Sequence, residues 1–234
     1  MPSKHLIILT CAFNPSQNHL THFGQQRIAQ YVKGINQVAE LCRAHPEFEV
    51  ALADNTFSED WQMPPELSLA IESLPLVGKF LFYDNQLPKI NKGCGNVIAW
   101  RKVAQNIDLT TYATVVHYEP RCELENFWFF DALVKQPKNY ALMAKYRVTA
   151  LTYPKPVRWL LKLLLLYRGQ IWTVLFAFKP DLFLEMINAI NLQKMASKKI
   201  SLEDYIYKII KNKDITPVVR LGVVWHAPEG DVRL

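Results

Sequence analysis

Glycine is scarce in this sequence, with eight residues against fourteen prolines in 234. None of the glycines falls in a GxxxxGKS or GxxxxGKT pattern, so a phosphate loop of that kind is not indicated. The four cysteines, Cys11, Cys42, Cys94 and Cys122, form no CxxC pair; they read as buried free thiols in a reducing compartment, where thiols pack as small hydrophobes. No apolar run reaches the roughly 18–20 residues a membrane helix needs. The most apolar stretch, 156–178, is interrupted by Arg158, Lys162 and Arg168. The start, MPSKHLIILTCAF, is too short in its apolar part for a signal peptide and is followed by polar residues, which predicts a cytoplasmic chain. Repeats and low-complexity tracts are absent. So is any Lys/Arg cluster interleaved with aromatics, and nucleic acid is therefore not an expected partner.

What remains is a globular composition: half the residues are hydrophobic, about a fifth are charged, and the net charge is +6. That length and balance predict one domain over 1–234, with a core large enough to need no staple. The positive balance suits phosphate-bearing small molecules or an anionic membrane surface.

The chain opens with a short β-branched apolar run, Leu6–Thr10, that reads as a buried central strand. A helical face follows, carried by Ile28, Tyr31, Val32, Ile35, Val38, Ala39 and Cys42, and then a second buried strand, Phe48–Ala53. This is a βαβ unit, whose right-handed connection places loops 11–24 and 54–62 at one carboxyl edge, where α/β sheets bind ligands. Residues 57–75 are acidic, proline-rich and aperiodic and read as a surface excursion. Strands are predicted over Gly78–Tyr83, Ala113–His117, Tyr140–Met143 and Val218–Val224, with helices over Phe127–Lys135, Pro180–Ile190 and Ser201–Lys211. Segment 156–178 reads in two ways. It is a core helix followed by strand Ile171–Phe178, or an acceptor-side or membrane-proximal insertion with Trp159–Tyr167 lying on an anionic surface.

Several clusters carry candidate chemistry. Loop Asn14–His22 offers polar side chains and amides ahead of a helix, although its Asn and Ser groups also suit self-capping. Asp54 and Asn55 end the second strand, where a ribose or a base edge needs acceptors, although Asx residues also end strands to form turns. Asn91-Lys92-Gly93-Cys94-Gly95-Asn96 brings two glycines before a helix, which lets backbone approach a sugar diphosphate. His117 and Glu119 alternate at the end of the fourth strand and point the same way, with Arg121 as a counter-charge or simply as the partner of Glu119 in a surface ion pair. Glu203 and Asp204 stand in the first turn of a helix begun by Ser201, a placement that suits either capping or a general base. His226 is placed just past the last predicted strand, as a metal ligand or simply as a surface histidine.

The ordered blocks TCAFNPS, RIAQYVKGINQVAEL, VALADNT, NKGCGNVIAW, VVHYEPR, TVLFAFKPDLF, SLEDYIYKII and LGVVWH together resemble bacterial glycosyltransferases of the GT-A fold that build surface polysaccharides. The resemblance implies a three-layer α/β/α, Rossmann-like domain with a mostly parallel sheet. It further implies a nucleotide-diphosphosugar donor and a glycan or lipid-linked acceptor at the inner membrane face. On the same basis Asn14 and Asp54, with Asn55, face the nucleoside. The Asn91–Asn96 turn, with Lys92, Gly93 and Gly95, lies by the donor, and Glu203 or Asp204 is the base of an inverting transfer. His117-Tyr118-Glu119 stands where such enzymes carry a DxD metal motif, yet it is not one. Either manganese or magnesium is held by His117, Glu119 and His226, or Arg121 and Lys92 take the diphosphate without metal, or catalysis has been lost. FNPSQNHLTH also resembles the opening of nucleotidylyltransferases, with Thr21 in place of the glycine of their HxGH. A membrane-peripheral scaffold docking through Trp159–Tyr167 is the third reading.

Overall fold

The computed structural model describes residues 3–14, 22–147, 167–227 and 230–234. Strand β1 (His5–Cys11) is buried along its whole length and lies between two parallel neighbours, β2 (Phe48–Asp54) and β4 (Thr114–Tyr118). Beyond β2 lies β3 (Leu76–Leu81), also parallel. On the other side β7 (Tyr167–Phe178) runs antiparallel to β4, and β6 (Tyr140–Arg147) runs antiparallel to β7. A short β8 (Thr216–Pro217) closes this edge parallel to β6. The order is β3-β2-β1-β4-β7-β6-β8, seven strands with β7 alone reversed. The chain is an α/β protein with a mostly parallel central sheet, as its βαβ opening predicts.

Alternation along β1 divides the core in two. Ile7, Leu9 and Cys11 join one cluster, Leu6 and Ile8 the other, because successive strand residues point to opposite faces. The first cluster is covered by α1 (His22–Ala44), α2 (Pro65–Glu72) and α5 (Trp128–Lys135). The second is covered by α4 (Gly93–Asn106), α6 (Pro180–Ala189), α7 (Leu192–Ser197) and α8 (Leu202–Ile210). Helix layers on both faces explain why the strands read as continuous apolar runs. A short α3 (Gln86–Ile90) precedes α4. A second sheet of β10 (Gly230–Arg233), β9 (Val223–Ala227) and β5 (Glu123–Leu124) is antiparallel throughout. Helix α1 reaches the segment before β5 closely enough that a Cβ on Gly34 would stand 1.8 Å from the Pro120 carbonyl oxygen.

Three expectations need correction. Segment 57–75 is not a bare excursion: α2 starts with Pro65 in its first turn, where a missing N–H costs nothing, and Leu67, Ala70 and Ile71 are buried. Residues 167–178 are not part of an insertion, since β7 sits between β4 and β6 in the main sheet; the proposed surface helix Trp159–Tyr167 lies outside the described residues except for its last. The last predicted strand begins later, at Val223, so Trp225 and His226 lie within β9 instead of past it. No helix among the described residues is long and apolar enough to cross a membrane. All four cysteines are buried and free.

Candidate functional site

The register sets Cys11 beside Asp54 and Leu9 beside Tyr118, so β1, β2 and β4 end together. Because β2 and β4 flank β1 on opposite sides, this edge is a topological switch point, where an open sheet leaves a crevice. A cleft of about 540 Å³ occupies it. Its floor is made by Thr10, Cys11 and Ala12 after β1, Asn55 and Thr56 after β2, Glu119 and Arg121 after β4, and Thr173 of β7. Its walls come from Arg27 and Tyr31 of α1, from Asn85, Pro88, Lys89, Lys92, Gly93, Gly95 and Asn96 around the start of α4, and from Leu202 and Glu203 of α8. Four cations and two carboxylates therefore share one polar concavity.

Beneath the cleft, Asp54 is a fully buried tie. Its carboxylate accepts from the Phe13 N–H, the Thr56 N–H and the Thr56 hydroxyl, each at 2.7 Å. The Asn14 N–H donates to the Thr56 hydroxyl at 3.0 Å. Burial pushes the Asp54 pKa up and these hydrogen bonds oppose it. Asp54 and Asn14 thus fasten the exits of β1 and β2 to each other and are absent from the cleft lining, whereas Asn55 reaches it. Loop residues 15–21, His19 among them, lie outside the described residues, as does the side chain of His22.

The predicted glycine turn is shorter than expected, because α4 already begins at Gly93. Asn91 points inward: its amide donates to the Met195 and Ile200 carbonyls at 3.0 and 2.8 Å, and its carbonyl accepts from the Gly93 N–H at 3.1 Å. A Cβ on Gly93 would stand 2.7 Å from Leu202 Cβ, and one on Gly95 would stand 3.3 Å from Asn55 Oδ1. Packing against α8 therefore accounts for Gly93, while Gly95 lies close to Asn55, just past β2. The positive end of α4 nonetheless faces the cleft through Lys92, Gly93, Gly95 and Asn96.

His117 belongs to the core. It is fully buried, its Nδ1 accepts from the Trp100 indole N–H at 3.0 Å, and burial pushes its pKa down to about 4. Its Nε2 has no hydrogen-bond partner. Glu119 does face the cleft, where it accepts from Asn96 at 3.0 Å and pairs with Arg121 at 3.3 Å. The alternation from His117 to Glu119 is thus real, but one residue lies under the floor and the other on it. His226 pairs through its backbone with Asp231, and its side chain lies outside the described residues. Among the described residues no three His, Cys, Asp or Glu side chains come together as a metal site. The Glu119–Arg121 and His117–Trp100 pairings fit a metal poorly.

At the start of α8 the Ser201 hydroxyl accepts from the Asp204 N–H at 3.2 Å, so the expected N-cap is present. Glu203 turns to the cleft, where its carboxylate accepts from the Thr173 hydroxyl at 3.1 Å; Asp204 is buried away from it. Burial raises the Glu203 pKa from its ordinary value, helped by repulsion from Glu119 and Asp204 and opposed by Thr173 and a helix-start N–H. This group is a carboxylate tuned toward stronger basicity.

The cleft residues not singled out from the sequence are Arg27, Asn85, Lys89 and Thr173, together with the cleft-facing role of Tyr31. Arg27 Nε donates to the Ala12 carbonyl at 2.8 Å, and its guanidinium stands 5.6 Å from the centre of the Tyr31 ring. The Tyr31 hydroxyl accepts from the Ala12 N–H at 2.9 Å. The i, i+4 spacing of Arg27 and Tyr31 behind the first loop was the available signal. No protein-family model matches the chain, and no curated protein matches its sequence.

Proposed function

We propose that the chain is a glycosyltransferase of GT-A-like architecture that moves a sugar from a nucleotide-diphosphosugar to a hydroxyl of a glycan or lipid-linked acceptor, at the inner membrane face. The observation that carries this reading is the pairing of Glu203 with a cation-rich cleft at the switch point of the sheet. The cleft suits an anionic, hydroxyl-rich ligand, and the raised pKa suits a base. In an inverting transfer Glu203 accepts the acceptor hydroxyl proton as that oxygen bonds to the anomeric carbon. The bond from anomeric carbon to phosphate oxygen breaks, and the nucleoside diphosphate leaves with the electron pair into the cationic wall.

The test is a thermal-shift panel of UDP-, GDP-, CMP- and dTDP-sugars, with and without manganese. A ligand at 100 times its Kd stabilises by about 2.7 kcal/mol. With the donor in hand, Glu203→Gln is expected to lower transfer by roughly 10²–10⁴-fold while donor binding persists. A shift with ATP and none with any nucleotide-sugar would favour nucleotidyl transfer. No shift with any nucleotide would favour the scaffold.

A further inference from the structure

We infer that this cleft holds the diphosphate of its nucleotide ligand with protein cations alone, Arg27, Lys89 and Lys92 standing where a divalent ion would otherwise bridge the phosphates. The inference rests on the glycosyltransferase reading for the nucleoside and sugar parts of the ligand, and on the cleft's own charges for the diphosphate.

A magnesium or manganese ion between protein and phosphates needs at least one carboxylate free to give it an oxygen. Each carboxylate of the cleft already has a protein donor against it. Glu119 accepts from Arg121 and Asn96, and Glu203 accepts from Thr173. His117 is buried, and its Nδ1 is occupied by Trp100. The cations are arranged the opposite way. Arg121 has Glu119, but Arg27, Lys89 and Lys92 make no ion pair with any carboxylate among the described residues. They approach one cavity from α1, α3 and the residue before α4.

Arg27 is the preorganised member. Its Nε is pinned to the Ala12 carbonyl, its plane lies by Tyr31, and one Nη makes a long contact of 3.5 Å to the Tyr31 hydroxyl. The remaining N–H groups form a fork of the shape that phosphate oxygens match. Lys89 and Lys92 are exposed, mobile-stemmed point charges that can close on the other phosphate, and the N-terminal end of α4 adds to their field. Arg27, Lys89 and Lys92 give their side of the cavity a positive field that favours an anion over a divalent cation.

The test is calorimetric titration of the full chain with UDP, GDP, CDP and dTDP, and separately with inorganic pyrophosphate, in excess EDTA and again in manganese. The expected result is binding of one nucleoside diphosphate with the same Kd in both buffers, weakening steeply with salt. The double variant Lys89→Ala/Lys92→Ala, altered at exposed positions, should melt like the wild type and bind that nucleotide at least about tenfold more weakly, the loss of a charge-assisted contact. Unchanged binding in that variant overturns the assignment. Binding that requires manganese also overturns it, while leaving the glycosyltransferase reading in place. Pyrophosphate binding in EDTA with no nucleotide binding supports the cationic site and sinks the glycosyltransferase reading, and no binding of any probe sinks both.

Discussion

The Trp100 indole N–H donates to His117 Nδ1 at 3.0 Å in the fully buried layer directly beneath the cleft. The imidazole is therefore neutral, with its proton on Nε2, and protonating Nδ1 would break this bond inside the core. Burial lowers the His117 pKa to about 4 from 6.5. Below pH 6.5 the unfolded chain takes up a proton that the folded chain refuses, so stability is lost as pH falls toward 4. Between pH 7 and 4.5 the loss from this group is about 2–3 kcal/mol, at 1.36 kcal/mol per pKa unit. Asp54 and Glu203, whose pKa values are raised by burial, act in the opposite sense and lose their contribution as pH rises. Comparing urea unfolding of wild type and His117→Gln at the two pH values isolates the histidine. The wild type should lose the larger amount on acidification, and equal losses would contradict the assignment.

Thr173 gives Glu203 a side-chain hydrogen bond in the cleft. In Thr173→Val that donor is gone, and an unsupported carboxylate is protonated more readily. The acid limb of the pH–rate profile of the proposed sugar transfer is expected to move to higher pH, with kcat lower by about tenfold. Thr173→Ser should restore both. A general packing defect would lower the rate without moving the limb.

Much of the fold was legible because the first 56 residues carry strong patterns. A wholly buried β1, an α1 with one apolar face and a β2 buried except at Glu49 fit no common alternative. Helix α2 was hidden because only Leu67, Ala70 and Ile71 mark its face and Pro64-Pro65 reads as a breaker. The site was legible by strand end, but not by side-chain direction. Asp54 stands at the correct edge, yet its carboxylate is drawn inward by Phe13 and Thr56. Glu203 and Asp204 are neighbours about 100° apart on one helix, and only the packing of α8 against β7 decides which meets Thr173. Arg27 is hidden in the sequence because the apolar spacing that marks α1 carries no information about its polar face.

Gly34 lies in the middle of α1, where alanine ordinarily stabilises a helix by about 1 kcal/mol. Here the added Cβ would stand 1.8 Å from the Pro120 carbonyl oxygen, a backbone atom between Glu119 and Arg121. The sign is expected to reverse. Gly34→Ala should be destabilising by about 1–3 kcal/mol or more, as overpacked sites are, and should disturb the Glu119–Arg121 pair. Differential scanning calorimetry checks this directly, and a melting temperature equal to or above the wild type would refute the close approach.

Gly93 and Gly95 make a sharper comparison because they share the first turn of α4 and differ in what they touch. Alanine at Gly93 would set two Cβ atoms 2.7 Å apart, its own and that of Leu202, and neither can rotate away. Helix α8 must then shift relative to α4, carrying Glu203 away from Lys92 and the rest of the cleft. At Gly95 the nearest atom is the Asn55 amide oxygen at 3.3 Å, which a few tenths of an ångström would relieve. Helix propensity favours alanine at both positions by up to about 1 kcal/mol. Gly95→Ala is thus expected to be within about 0.5 kcal/mol of the wild type in stability. Gly93→Ala should lose about 1–3 kcal/mol and lose transfer activity beyond what its remaining folded fraction explains. Urea unfolding of both variants, with transfer rates measured well below the unfolding midpoint, separates the two effects. Similar stability and rates in the pair would mean that α4 and α8 do not meet at Gly93 and Leu202.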